Sequence, residues 1–209
     1  MRKFPSLSKI ISRLFAIGRG QLLVFPKINY GLVKVYGKVN IRGTRRNITF
    51  GDNVTFLGEA ILICGNEYEN DSIYIGNDVT FENGCYINAH GGSIQISDRV
   101  FLGVSTIIQG KGGIFIGSDS MLGPNVQLYS SDHQYRNNNI LFSRQIELEE
   151  SITIGNNVWI GANSILLKGS SIHSNSVVAA CSLIKLKTDK PALISKNGAF
   201  ATIKREMSI

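Results

Sequence analysis

Large apolar residues recur at every sixth position, in runs that cover most of the chain. They are Phe50, Phe56, Leu62, Ile75, Phe81, Ile87, Ile96, Leu102, Ile108, Ile116, Leu122, Leu128, Ile154, Ile160, Leu166, Ile172, Val178 and Ile184. A side chain that returns every six residues packs against its counterpart in the next turn, with three hexapeptides to each triangular coil. The period therefore predicts a parallel β-helix solenoid. An antiparallel sandwich also uses short apolar strands, but it does not explain a register of six.

Two further positions of the repeat support a solenoid. A small or β-branched residue stands four positions after many of the large ones and should point inward beside them: Val54, Val79, Cys85, Val100, Thr106, Val126, Val158, Ser164, Ser170 and Ser176. Glycine often follows the large residue directly, as at Gly51, Gly76, Gly103, Gly117, Gly123, Gly155 and Gly161. We expect these glycines to supply the positive φ or the close packing that a corner needs.

The length of the chain suits one solenoid domain with small appendages. We expect an N-terminal segment at 1–30, a β-helix at 31–187 and a C-terminal cap at 188–209. In the N-terminal segment, apolar residues share one face at helical spacing: Leu7, Ile10, Ile11, Leu14 and Phe15. Two roles are open for this helix. It caps the open end of the solenoid, or its apolar face and basic residues make peripheral contact with an anionic membrane.

The formal net charge of +7 favours an acidic partner. Nucleic acid is not expected, because the chain lacks the basic motifs with interleaved aromatic residues of the usual binding modules. The three cysteines, Cys64, Cys85 and Cys181, have no metal-ligand spacing. Cys85 falls on an inward small-residue position, so a buried free thiol and a reducing, cytoplasmic location are expected.

The six-residue register fails between Leu128 and Ile154, which predicts an excursion loop at about 130–152. Long loops in a regular scaffold tend to be functional. This one contains His133, next to Asp132 and followed by Tyr135. An imidazole that titrates near neutral pH can accept a proton from a hydroxyl during acyl transfer, so His133 is a candidate general base.

The chain resembles the hexapeptide-repeat acyltransferases over roughly residues 48 to 205. The segment IGSDSMLGPNVQLYSSDHQY is similar to the strand and loop that lead to the catalytic histidine of galactoside and maltose O-acetyltransferases. The segment IGNNVWIGANSILLKGSSIHSNSVVAACSLIK is similar to the coils that form their coenzyme A site. The resemblance implies an all-β, left-handed parallel β-helix that uses acetyl-CoA as co-substrate and no metal.

The resemblance also implies roles for particular residues. His133 matches the general base, and Trp159 matches a tryptophan that shapes the active site of polysialic acid O-acetyltransferases. Ala162 and Ala180 match positions whose backbone contacts the pantetheine arm. Three lysines match or adjoin basic positions near the nucleotide end of the coenzyme: Lys168, Lys185 and Lys204. The tail departs from the family pattern at Ala201, where an arginine is expected.

In its layout, the chain resembles O-acetyltransferases that modify capsule, lipopolysaccharide or polysialic acid more than it resembles the galactoside and maltose enzymes, and its basic charge suits an anionic glycan. The resemblance implies direct transfer to a sugar hydroxyl in homotrimers whose active sites lie between subunits. An N-acetyltransferase that acts on a nucleotide-linked amino sugar would use the same fold and base, and it stays open. A zinc enzyme is not expected, because it would need three clustered histidines. A non-enzymatic solenoid would need a regular exposed face of one residue type, which the sequence does not show.

Overall fold

The computed structural model describes residues 7–24, 31–65, 71–135, 139–195 and 200–202, which form a solenoid of three sheets. Sheet A contains β1 (Val33–Val35), β4 (Val54–Phe56), β7 (Thr80–Phe81), β10 (Phe101–Leu102), β13 (Met121–Leu122), β18 (Trp159–Ile160), β21 (Val177–Val178), β23 (Ala192–Ile194) and β24 (Phe200–Thr202). Sheet B contains β2 (Val39–Gly43), β5 (Ala60–Cys64), β8 (Cys85–Asn88), β11 (Ile107–Gln109), β14 (Gln127–Tyr129), β19 (Ile165–Leu167) and β22 (Leu183–Ile184). Sheet C contains β3 (Ile48–Phe50), β6 (Ser72–Ile75), β9 (Ser93–Ile96), β12 (Ile114–Ile116), β17 (Ile152–Ile154) and β20 (Ser171–Ile172).

Successive strands pass from sheet A to sheet B to sheet C, so each coil contributes one strand to each face of a triangular prism. Strands of neighbouring coils pair in parallel and in register, as where Leu102 lies between Phe81 and Leu122. About seven coils stack in this way. The predicted fold, a left-handed parallel β-helix with a short N-terminal helix, is confirmed.

The core of the prism consists of the side chains that form the hexapeptide pattern. All of the large residues of the repeat are at most 4 % exposed, and the small inward residues are at most 1 % exposed. Where the small residue is serine, its hydroxyl is hydrogen-bonded to the backbone: Ser164 donates to Ala179 at 3.0 Å and Ser170 to Leu167 at 2.6 Å, while Ser176 accepts from the Ala192 N–H at 3.1 Å. These bonds offset the cost of burying a polar group.

The corners show which of the two expected roles the glycines have. None of the glycines that follow a large residue has a positive φ. The left-handed residue is the third after the large one, as at Asn53 (φ 59°), Asp78 (56°) and Asn157 (54°). Asn and Asp tolerate this region better than other side chains. The glycines serve the close packing between coils, since a Cβ on Gly161 would lie 2.4 Å from the backbone nitrogen of Ala180.

Helix α1 (Leu7–Val24) lies against β1, the edge strand of sheet A. It contacts the strand through Ala16 and Gly20, which are both buried. The Arg19 Nε donates to the carbonyl of Val35 at 2.9 Å. Three residues of the face that the pattern predicted to pack have described side chains, and they do not pack: Ile11, Leu14 and Phe15 are 45, 63 and 68 % exposed. The helix therefore covers the first strand with its small residues.

At the other end, β23 continues sheet A in parallel with β21, and β24 folds back antiparallel to β23. The predicted basic position at Lys204 lies outside the described residues. Within the described part of the chain, no helix is long and apolar enough to cross a membrane.

Candidate active site

The register break is a β-ribbon. The chain leaves the corner between sheets B and C after β14 and returns at β17, which confirms the predicted excursion. Between them, β15 (Ser131–His133) and β16 (Glu147–Glu149) pair antiparallel, and a 3₁₀ turn spans Phe142–Arg144. The ribbon closes where the Glu150 backbone N–H donates to the carbonyl of Ser130 at 3.0 Å. We call residues 130–151 the arm.

The pairing register gives the arm two faces. His133 lies opposite Glu147, and Ser131 lies opposite Glu149. Residues directly opposite one another in an antiparallel pair share a face, and neighbours along a strand alternate. These four side chains therefore lie on one face, the histidine face, while Asp132 and Leu148 lie on the other.

The face that carries Asp132 lines a cleft against the later coils. The cleft has a volume of about 270 Å³ and is lined by Asp132, Gln134, Tyr135, Leu148, Lys168 and Lys185. The Lys168 Nζ lies 2.9 Å from the Asp132 Oδ1, and the lysine side chain is only 11 % exposed. The cleft thus brings two of the predicted coenzyme residues together, one of them paired with the residue before His133.

The histidine face turns toward the earlier coils. The Lys111 Nζ lies 3.1 Å from Glu147 and 3.8 Å from Glu149. Partial burial raises the pKa of Glu147, but the hydrogen bond and charge of Lys111, with contributions from Ser131 and His90, outweigh it and hold the pKa below its usual range. Glu147 is therefore a fixed anion directly across the ribbon from His133, which is itself exposed.

The other predicted residues lie at a different corner of the same chain. Ala162 and Ala180 are stacked one coil apart between sheets A and B, where the Cys181 N–H donates to the Ala162 carbonyl at 2.8 Å. Trp159 is 53 % exposed on the outer face of sheet A. One full side of the triangle separates this group from the arm and from Lys168.

Sequence reasoning did not find the ion pairs that hold the arm. Besides the pairs of Lys111 and Lys168, Lys187 lies 3.1 Å from Glu150. The three lysines come from three different coils, and no local spacing connects them to the arm. A weak signal exists, because acidic residues cluster in the return strand at Glu147, Glu149 and Glu150.

Comparisons with known proteins agree with the repeat. The bacterial transferase hexapeptide (six repeats) model matches residues 151–185, and the model for the hexapeptide repeat of succinyl-transferase matches residues 94–130. Both matches confirm the resemblance to the hexapeptide-repeat acyltransferases, over residues 94–130 and 151–185. The relatives of this family described next also confirm the predicted enzyme class, an acyltransferase.

Two curated relatives are named for different acceptors of the acyl group. The dTDP-4-amino-4,6-dideoxy-D-glucose acyltransferase of Escherichia coli is 28% identical over 153 residues, which cover 71% of this chain and 74% of the relative. The polysialic acid O-acetyltransferase of Neisseria meningitidis is 31% identical over 137 residues, 63% of this chain and 60% of the relative. The second match therefore spans less than two thirds of that acyltransferase.

A solved structure supports the fold alone. A mutant of AntD, an N-acyltransferase from Bacillus cereus in complex with dTDP-4-amino-4,6-dideoxyglucose and coenzyme A, superposes with a TM-score of 0.63. The match covers 91% of this chain and 89% of the other, at 17% sequence identity. Both chains are thus solenoids of the same general size.

Proposed function

We propose that this acyltransferase moves an acetyl group from acetyl-CoA to a sugar hydroxyl of a surface polysaccharide such as capsule, lipopolysaccharide or polysialic acid. The observation that carries the proposal is the arm. A seven-coil solenoid is interrupted once in its described part, by a ribbon held by ion pairs that presents His133 beside a fixed carboxylate. An exposed imidazole on a rigid element is suited to general base catalysis.

In the proposed reaction, an imidazole nitrogen of His133 accepts the proton of the sugar hydroxyl. The hydroxyl oxygen attacks the thioester carbonyl carbon at the same time and forms a C–O bond. The C–S bond then breaks, and the departing sulfur takes the proton from the imidazolium. Glu147 lies opposite His133 in the ribbon, and its negative charge would favour the imidazolium that forms there. Both substrates bind before transfer, so proximity supplies much of the rate.

The acetyl-CoA would be held by two kinds of contact. Ala162 and Ala180 leave room for the pantetheine arm to approach the backbone of two stacked corners. Lys185, in the cleft with Lys168, offers a cation for the phosphates of the nucleotide end. The Lys168 ammonium is already paired with Asp132. A phosphate would therefore compete with Asp132 for this ammonium group.

We propose a homotrimer in which the arm of one subunit reaches a neighbour. Two observations support it. His133 and the group at Trp159, Ala162 and Ala180 lie at different corners of one chain, so a single chain does not bring them together. The arm also exposes large apolar side chains that a monomer would leave in water: Tyr135, Leu141, Phe142 and Ile146 are 65 to 68 % exposed.

A second candidate is N-acylation of a nucleotide-linked amino sugar. It is favoured by the dTDP-amino-sugar acyltransferase of Escherichia coli, whose match covers 74% of that relative against 60% for the polysialic acid enzyme. The same histidine would then accept a proton from an attacking amine. Acceptor chemistry separates the two candidates.

Thiol release from acetyl-CoA across a panel of acceptors tests the proposal. The panel holds polysialic acid, neutral oligosaccharides, simple galactosides and nucleotide-linked amino sugars. His133→Asn is compared with His173→Asn, because His173 is an exposed histidine on another corner. We expect turnover with a glycan hydroxyl that falls about 10²- to 10⁴-fold in His133→Asn and is unchanged in His173→Asn.

Each of the other possible results would change the proposed function or the proposed base. Turnover with amino sugars alone replaces the proposal by the N-acyl candidate. Equal loss in both histidine variants, or none in His133→Asn, removes His133 as the base. Calorimetric titration with acetyl-CoA provides the check on binding, since loss of a base alone leaves the affinity unchanged.

A further inference from the structure

The charge of the chain is divided sharply along its length. Half of its 22 Lys and Arg residues fall in residues 1–51, and all 15 Asp and Glu residues come after them. The first 51 residues therefore carry a formal charge of +11, and the remainder carries −4. Because a solenoid stacks its coils in chain order, this division along the sequence is also a division along the axis within the coils that the structure describes.

The structure places much of the basic segment at one end of the prism. The first coil consists of β1, β2 and β3, and helix α1 lies on β1. Four basic side chains of this coil are exposed, at Lys38, Arg42, Arg45 and Arg46. Lys34 is the exception, since it is buried and donates to Asn53 in the next coil. We call the helix and the first coil the basic pole.

The helix adds an apolar strip to the basic pole. Ile11, Leu14 and Phe15 share one face, since residues three and four apart are neighbours on a helix. At about 100° per residue, this face points roughly opposite to Ala16 and Gly20, which contact β1. One helix thus covers the edge strand with one side and leaves the other side free. The two roles that the sequence left as alternatives are compatible.

We propose that the basic pole docks on an anionic lipid bilayer, with Ile11, Leu14 and Phe15 entering the interface and the arginines of the first coil near the headgroups. A polyanion in solution would pair with the charges but would leave the apolar strip in water. A bilayer with anionic headgroups can bind both the basic side chains and the apolar strip, because it offers negative charge and hydrocarbon within a few ångströms of each other.

The same geometry sets the height of the arm above the bilayer. The arm leaves the fifth coil, and neighbouring coils are about 4.8 Å apart, which gives roughly 20 Å between the basic pole and the arm if the axis stands upright. The docking does not depend on which acceptor the enzyme uses. It predicts only that the active site faces material close to the membrane surface.

Sedimentation of the full chain with vesicles tests the proposal. One set of vesicles is phosphatidylcholine, and the other contains about one third phosphatidylglycerol, at about 0.1 M salt. We expect the chain to bind only the anionic set. Arg42→Gln and Arg45→Gln should each weaken binding roughly fivefold, because a basic residue near such a surface contributes about 1 kcal/mol. The double variant Leu14→Gln/Phe15→Gln should lose at least about tenfold through its apolar area.

The matched control is Leu183→Gln/Lys190→Gln, which changes an exposed leucine and an exposed lysine at the opposite end of the prism. It should bind as the native chain does. Equal sedimentation with both vesicle sets, or equal loss in the control, overturns the proposal. So does a change of oligomeric state in Leu14→Gln/Phe15→Gln by light scattering, because the strip would then be a subunit contact. Unchanged melting temperatures show that the variants fold.

Discussion

At the residue scale, each corner of the solenoid makes different demands on two positions of the repeat. The residue after the large apolar one must be small because the next coil lies against it, and the third residue must accept a left-handed backbone. Glycine meets the first need, and Asn or Asp usually meets the second. The sequence alone did not separate these needs, because glycine is suited to either one.

The close approach between coils predicts opposite outcomes for two alanine substitutions. In Gly155→Ala, the new Cβ would lie 2.5 Å from the backbone nitrogen of Ser174, so we expect a loss of about 1–3 kcal/mol in the free energy of unfolding. In Gly18→Ala, nothing lies within 4 Å in the exposed part of α1, and we expect a gain of up to about 1 kcal/mol. Thermal unfolding measures both, and a stable Gly155→Ala would contradict the packing of this corner.

The cysteines predict a thiol count that distinguishes buried from exposed sites. Burial raises the pKa of Cys85 to about 12, and burial followed by the charge of Asp71 does the same for Cys64. Both stay protonated at neutral pH and are sheltered, whereas Cys181 is exposed beside Ala180. We expect one reactive thiol per native chain and three after denaturation.

Alkylation of Cys181 also reports on the proposed coenzyme contacts. With acetyl-CoA bound along Ala162 and Ala180, iodoacetamide should modify Cys181 more slowly, while a free acetyl donor such as acetyl phosphate should give no protection. Equal rates with and without acetyl-CoA would place the pantetheine arm elsewhere.

At the element scale, the arm depends on ion pairs of unequal burial. The Lys168 side chain is 11 % exposed, whereas Lys187 is 69 % exposed in its pair with Glu150. Exposed ion pairs contribute little to stability, and ion pairs sheltered from solvent contribute more. Asp132 is also the residue next to His133, so we expect Lys168 to act as a positioning residue for the proposed base.

Replacement of the two lysines should therefore differ in effect. We expect Lys168→Met to lower kcat roughly ten- to hundredfold by displacing His133, and to speed tryptic cleavage after the exposed Arg144. Lys187→Met is the control and should change neither. If Lys168→Met instead raises only KM for acetyl-CoA, the lysine binds the coenzyme as the family resemblance implies.

The sequence predicted where the arm begins and ends, but not its form. The failure of the six-residue register is visible because it removes a regular signal. The pairing of Ser131 with Glu149 is not visible, because β15 has no apolar alternation and the alternation of β16 covers only three residues, too few to identify its partner. The lysines that hold it come from distant coils, and such pairs arise only from the stacking. The apolar residues of α1 predicted the wrong packing face for a related reason. The contact with β1 is made by the small residues of the helix, and the sequence of the helix alone does not show which strand it covers.

At the scale of the whole molecule, the proposed sites between subunits can be tested by mixing. Chains with His133→Asn lack the base, and chains with Ala180→Trp should block the pantetheine contact. In a trimer, the intact arm of one chain can meet the intact coils of the other. Random mixing of the two inactive chains should restore about a quarter of native turnover. No recovery after confirmed exchange of subunits would place each site within a single chain.

The closure of the arm has a consequence for how such enzymes can diversify. Its two ends meet at Ser130 and Glu150, and β14 and β17 stack on β11 and β12 as if nothing intervened. The coils thus carry the stability while the ribbon is a cassette that can be lengthened, shortened or exchanged without disturbing the stack. Grafting ribbons from other members onto this corner would be a direct route to new acceptor preferences on one unchanged scaffold.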